Sequence, residues 1–427
     1  MDKKKMVEKV NPFEKNLKDF IKNIDSLKSS LRLSMGLISL QHKINLSKLH
    51  DFIKKNGKKK TSKSFVLRYE DVDYYEKLKR NTDITLASDR VVPRSALIAL
   101  VSQFDAFMSS MIRIVLLSNS DALNKCEKSL TFSLLSKLNN IDEAKSYIIE
   151  KEIDSILRDN HAAHFTWLES RLGISLRKDL SIWEEFIELT ERRNLFAHCG
   201  GKISSQYIAN CKESGVSLNK EFILGHELDV TSQYLDSSYK CLYELGVKLT
   251  HVIWRKLRSD DLRAADENLN GICYNLIDSG AYPLADSILE FANSVLKKHA
   301  DESSLNCFII NKALSKKLGG DKKTAREIVN KRDWSASSND FKLAKEAILG
   351  NDESVLLLMK KIGKEGECVN KASYRVWPLF KELKENKKFQ ETFKQIYKEE
   401  YKLNENRLEY NIKLTVKSRS KNKGYKK

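Results

Sequence analysis

Arg193, Asn194 and His198 are the residues whose types and spacing best suit chemistry. They lie in the run Glu191-Arg-Arg-Asn-Leu-Phe-Ala-His-Cys-Gly-Gly201. A guanidinium holds a phosphate through two parallel hydrogen bonds, and an imidazole exchanges protons near neutral pH. On a helix Asn194 and His198 are four apart and share a face, so the amide can orient the imidazole. Arg193 and His198 are five apart, about 140° around an ideal helix, so they do not share a face. The long arginine side chain can wrap partway round. The two functions suffice to cleave RNA without a metal. His198 takes the ribose 2′-OH proton, the 2′-oxygen attacks the neighbouring phosphorus, and Arg193 meets the phosphorane charge. The products would be a 2′,3′-cyclic phosphate and a 5′-hydroxyl. The bland alternative is a helix-terminal histidine that satisfies the last carbonyls and the dipole, beside an ordinary exposed Arg-Asn pair.

Arg192 is a second phosphate contact or a solvated charge, with the solvated charge favoured. Lys58, Lys59 and Lys60 sit in KKNGKKKTSK, residues 54–63, six lysines in ten residues. That run reads as a solvated loop before it reads as a dedicated phosphate contact. His161 and His164 share a helix face without a further Cys, Asp or Glu, and read as a surface pair rather than a metal site. Asp105, between Phe104 and Phe107, reads as a boundary residue, the alternative being a group that orients the site. Cys199 reads as packing. Walker loops, dinucleotide fingerprints, nucleophile elbows and H-E-x-x-H are absent from the sequence, so no cofactor and no metal is expected.

The elements that must carry these residues are helical. Four prolines and 16 glycines in 427 residues leave few breakers. Asn11, Pro12 and Glu14 read as N-cap, N1 and N3 of a first helix whose Phe13, Leu17, Phe20, Ile24, Leu27 and Leu31 form one stripe. Residues 64–80 read as extended. Pro93 is expected to open a helix carrying Leu97, Val101, Phe104, Met108, Met111 and Val115. Further helical patterns cover about 142–158, 160–172, 180–198 and 229–257, and Gly200-Gly201 stop the third of these. Long amphipathic helices joined by modest loops point to a bundle. In the C-terminal region Gly280, Gly320 and Gly350 each precede a small or branched residue by five positions, namely Ala285, Ala325 and Val355. Helices flank each glycine, and the 40- and 30-residue spacings straddle a 34-residue period.

Composition bounds the rest. There are 76 Lys plus Arg against 58 Asp plus Glu, a net charge of +18, which favours a polyanionic partner. Seven scattered cysteines without a C-x-x-C pair exclude a disulfide scaffold. The apolar segment 96–117 carries Gln103, Asp105 and Arg113, and MDKKKMVEKV has no apolar run behind it. Neither membrane insertion nor a signal peptide is therefore expected, and the location expected is the cytoplasm.

Arg193-Asn194 and His198, with four residues between Arg and His, resemble the Arg-x4–6-His motif of the HEPN superfamily of helical-bundle domains. Trp183-Glu-Glu-Phe186 and the following Gly-Gly are also similar to HEPN proteins of bacterial conflict systems. The resemblance covers about residues 90–258. It implies a toxin or antiviral endoribonuclease, a homodimer through the bundle, and a site completed by a symmetry mate. Gly280–Ala285 and Gly320–Ala325 resemble degenerate tetratricopeptide repeats, which implies a surface for a protein trigger or inhibitor. The expected fold is all-α. Its parts are a basic N-terminal segment (1–84), a HEPN-like four-helix bundle (85–258), a TPR-like array (259–403) and a disordered basic tail (404–427). The competing reading is a catalytically inactive RNA-binding module or protein-interaction scaffold.

Overall fold

The computed structural model describes residues 11–61, 64–118, 129–178, 180–218 and 222–401. The tail expected from 404, the first ten residues and Cys126 lie outside them. The described chain is all-α, with one two-stranded sheet. It forms two compact units. One holds the described residues up to Tyr274 together with Pro283–Leu305; the other holds Asn275–Tyr282 and the described residues from Asn306 onward.

The first unit begins with α1 (Pro12–Asn56). The Asn11 side chain accepts the Phe13 amide at 2.9 Å, satisfying an otherwise orphaned donor. Phe13, Leu17, Phe20 and Ile24 are buried, and Phe13 stacks on Trp254 at 5.7 Å. Gly246 lets the backbone of a later helix approach α1 closely, because a Cβ there would stand 2.6 Å from the Phe20 ring. The first helix is thus part of the main core.

The expected extended segment is confined to Ser64–Val66. This strand, β2, pairs antiparallel with β1 (Lys58–Thr61). The described part of the lysine-rich run is therefore the last turn of α1 and strand β1 rather than a loop, and Phe65 of β2 packs on Tyr75 at 5.4 Å. Chain pairing satisfies the backbone while the lysines stay in water.

Helix α2 starts at Val72 and runs to Ser118, with Pro93 in its interior. Pro93 does not open the helix. It removes one ladder hydrogen bond, but Leu78 and Thr82 before it and Leu97, Leu100 and Val101 after it are all buried and hold the helix through. The expected division at 84/85 falls inside this helix. One 18-residue window of α2 is apolar enough to cross a membrane by length and composition, and 50% of it is buried within the protein.

Helices α3 (Phe132–Leu135), α4 (Ile141–Ile156), α5 (His161–Leu172), α6 (Trp183–His198), α7 (Ser205–Glu213) and α8 (Ser232–Leu257) follow. Between Gly201 and the last of these lies α7, whose Tyr207 and Cys211 form a small core with Leu195, Ile203 and Leu228.

Then follow α9 (Leu262–Asp278), α10 (Tyr282–Glu290), α11 (Glu302–Leu318), α12 (Lys322–Asn330), α13 (Asn339–Leu349), α14 (Asp352–Ile362), α15 (Lys371–Val376) and α16 (Lys387–Tyr397). The expected division at 258/259 falls between α8 and α9, inside the first unit. Gly280, Gly320 and Gly350 adopt φ of 76°, 98° and 83°, left-handed turns that favour glycine. Ala285, Ala325 and Val355 are buried, as close helix packing requires.

Candidate active site

Helix α6 carries the Arg-x4-His residues because Phe186, Ile187, Leu189, Thr190 and Leu195 give it a buried face. Gly200 and Gly201 end it at φ 59° and 84°. The amides of Cys199 and Gly201 turn back, both donating to the Leu195 carbonyl. A Cβ on Gly201 would stand 2.7 Å from the Phe196 ring, so this stop is sterically fixed.

Arg193 projects from α6 toward α2, where its Nη1 donates to Asp105 Oδ2 at 3.2 Å. The other carboxylate oxygen of Asp105 meets His161 Nε2, on α5, at 2.8 Å. Three helices therefore converge on one carboxylate. Burial alone would raise the Asp105 pKa, but the His161 hydrogen bond and the charges of His161 and Arg193 outweigh it and hold the carboxyl below its ordinary value. Asp105 is a boundary residue by exposure, 31% of its side chain, and also the group that positions Arg193. Arg193 Nε is buried without a partner, leaving part of the guanidinium's hydrogen-bonding capacity unused.

His161 and His164 are not a surface pair: they are 6% and 2% exposed. His161 packs edge-on against Phe186 at 5.5 Å and lies 5.1 Å from His164. Neither ring nitrogen of His164 has a hydrogen-bond partner. Burial, with the nearby His161 charge, pushes its pKa down to about 4. The spacing His-x-x-His put both rings on one face, but nothing local announced that α2 and α6 cover that face.

His198 is exposed at the end of α6, and Asn194, one turn earlier, is half-buried. The regular helix keeps His198 about 140° from Arg193, so one chain does not turn both toward a single point. Cys199 is exposed rather than packed.

Arg192 is neither solvated nor free. Its Nε donates to Glu188 Oε1 at 2.6 Å, its Nη1 to the Asp229 carbonyl at 3.3 Å, and its guanidinium lies over the Tyr234 ring at 3.9 Å. Glu188 also accepts the hydroxyls of Tyr207 at 2.7 Å and Tyr234 at 2.6 Å. Burial and the Glu188 charge raise both phenol pKa values. Only the Glu188-x3-Arg192 spacing of this network was visible locally. Nearby, a polar cavity of about 580 Å³ is lined by His161, Glu191, Asn210 and Trp183 among others. Asn210 holds Glu191 at 2.9 Å.

Lys58, Lys59 and Lys60 are exposed on β1. They sit in the segment that joins α1 to α2. Compared with known proteins, the chain matches no family model, no curated protein and no solved structure.

Proposed function

We propose that the chain is an endoribonuclease effector, of toxin or anti-phage type, that cleaves RNA by 2′-OH attack. Arg193 stabilises the phosphorane, His198 takes the 2′-OH proton, and Asn194 orients the imidazole. Residues 85–258 are read as a HEPN-like bundle acting in the cytoplasm as a homodimer. Residues 259–403 are read as a TPR-like array that takes a protein trigger or inhibitor. The observation that carries the reading is the carboxylate of Asp105 holding Arg193 while His198 stands exposed at the end of the same helix. A guanidinium fixed by a neighbouring carboxylate is preorganised for phosphate, and an exposed imidazole is reachable by a ribose. Because the two point apart around α6, a second copy bringing its own α6 end would complete a two-fold cleft. The net charge of +18 and the exposed lysines of β1 supply affinity for a polyanion.

A second reading, RNA binding without turnover, is favoured by the engagement of Arg193 with Asp105, since a substrate phosphate must compete with that carboxylate. His198→Ala and Arg193→Ala separate the two. Under the proposal each lowers RNA cleavage by about 10²-fold or more, with thermal stability nearly unchanged for His198→Ala. Cleavage at parental rates by both variants refutes the assignment. Binding that weakens steeply with salt, with no fragments formed by the parent, selects the second reading.

A further inference from the structure

Helix α1 carries two apolar seams where one docking face would need one. Beyond Leu31 its inner seam, Met35, Ile38, His42, Asn45 and Phe52, faces α2. His42 Nδ1 lies 3.0 Å from the Thr85 hydroxyl, Asn45 donates to the Asn81 carbonyl at 3.1 Å, and Phe52 packs on Tyr74 at 5.2 Å. The outer seam is Leu33, Leu37, Leu40 and Ile44. Leu33 is two residues from Leu31 and from Met35, about 160–200° away around the helix, so this seam lies on the opposite face. These four side chains are 71%, 67%, 56% and 40% exposed. Their 4-3-4 spacing is that of a helix–helix seam. Residues 33–42 carry no Lys, Arg, Asp or Glu, in a chain that is 31% charged. Charge depletion of this kind marks the core of an interface.

We propose that this outer seam docks on the same seam of a second copy, antiparallel, about a two-fold axis between Ile38 and Ser39. The pattern is its own complement under that operation. Leu33 meets Ile44 of the second copy, and Leu37 meets Leu40. Extended outward, the register pairs Ser30 with Ser47 and Ser26 with Asp51, all exposed. Serines at the seam let the backbones approach, and the Ser26 hydroxyl stands opposite a carboxylate. The basic residues bordering the apolar stretch avoid each other: Lys43 falls opposite Ser34, and Arg32 falls level with Asn45, which is turned toward α2. A parallel pairing would instead set Arg32 on Arg32 and Lys43 on Lys43. From Ser26 to Asp51 the seam runs about 38 Å, long enough for an isologous interface. The proposal rests on α1 alone; the pairing of α6 ends in the nuclease reading would be a second, separate interface.

The test uses the full chain in light scattering at micromolar concentration. The parent is expected near twice 49.2 kDa where α1 alone pairs, and at a higher multiple where the α6 ends pair as well. Leu37→Glu with Leu40→Glu places like charges in both central layers and is expected to halve the parent's mass. Leu37→Glu with Leu40→Lys places opposite charges in those layers and is expected to restore it. Helical circular dichroism checks that each variant is folded, as substitution of exposed side chains should allow. A monomeric parent, a double-glutamate variant with the parent's mass, or a folded Glu/Lys variant that stays at the lower mass overturns the proposal. Sedimentation of a monomeric parent with lipid vesicles would assign the seam to a membrane surface instead.

Discussion

Lowering the pH from 7.5 to 5 should destabilise the first unit through two buried histidines, His164 and His251. Both are neutral in the fold: burial pushes His164 down to about 4 and His251 down to about 3, the latter helped by the Arg255 charge. The groups facing His164 are His161, Asp105 and Asp159, and those facing His251 are Arg255 and Asp266. In the unfolded chain each imidazole titrates near the free value of about 6.5. Between the two values the unfolded state binds more protons, so the stability contributed by these histidines is complete above about pH 6.5. It is lost as the pH falls toward the native values. At pH 5 each unfolded histidine has gained its proton over about 1.5 pH units, worth about 2 kcal/mol, or about 4 kcal/mol for the pair. That is a large share of a typical domain's 5–15 kcal/mol. The assay is urea unfolding at several pH values, followed by tryptophan fluorescence, since Trp254 stacks on His251 at 5.9 Å. His164→Leu should remove about half of the pH dependence, leaving a loss of about 2 kcal/mol between pH 7.5 and 5. A variant whose profile parallels the parent's would refute the reasoning for His164. A parent equally stable at both pH values would refute it for both.

Glu188→Ala should cost about 3 kcal/mol or more, measured by urea unfolding. It strands Arg192 and the hydroxyls of Tyr207 and Tyr234 without their shared acceptor. The glycines should separate by environment in thermal melts. Gly246→Ala should lower the melting temperature, because its Cβ would meet the Phe20 ring at 2.6 Å. Gly350→Ala should cost about 1 kcal/mol, because φ is 83°. Gly271→Ala, in the exposed interior of α9 with nothing within 4 Å, should stabilise by about 0.5–1 kcal/mol.

Helix positions were legible wherever periodicity and caps agreed. Asn11, Pro12 and the stripe from Phe13 marked the start of α1, and Gly200-Gly201 marked the end of α6. The glycines at 280, 320 and 350 marked turns for the reason that matters, a left-handed backbone that other residues resist. Pro93 misled because its local penalty was weighed without the packing on both sides of it. The lysine run misled because hairpin pairing is decided by Phe65 and Tyr75, which lie outside the run. At the candidate site the α6 residues were legible as a string of types. Their partners were not, since Asp105 lies 88 positions from Arg193 and 56 from His161. Convergence of three helices on one carboxylate is a tertiary fact without a local periodic signal. Arg192 shows the converse: its neighbour in sequence is a candidate phosphate ligand, while Arg192 itself is spent on Glu188 and the Tyr234 ring.

In the proposed function this chain's own Arg193 and His198 cleave RNA through the ribose 2′-hydroxyl. The direct measurement is incubation of the purified full-length protein with total RNA in excess chelator, followed by analysis of the fragment ends. Fragments ending in 2′,3′-cyclic phosphate, each matched by a 5′-hydroxyl, are expected, and so is their loss in His198→Ala. Intact RNA, or fragments carrying 3′-hydroxyl and 5′-phosphate ends, would contradict it.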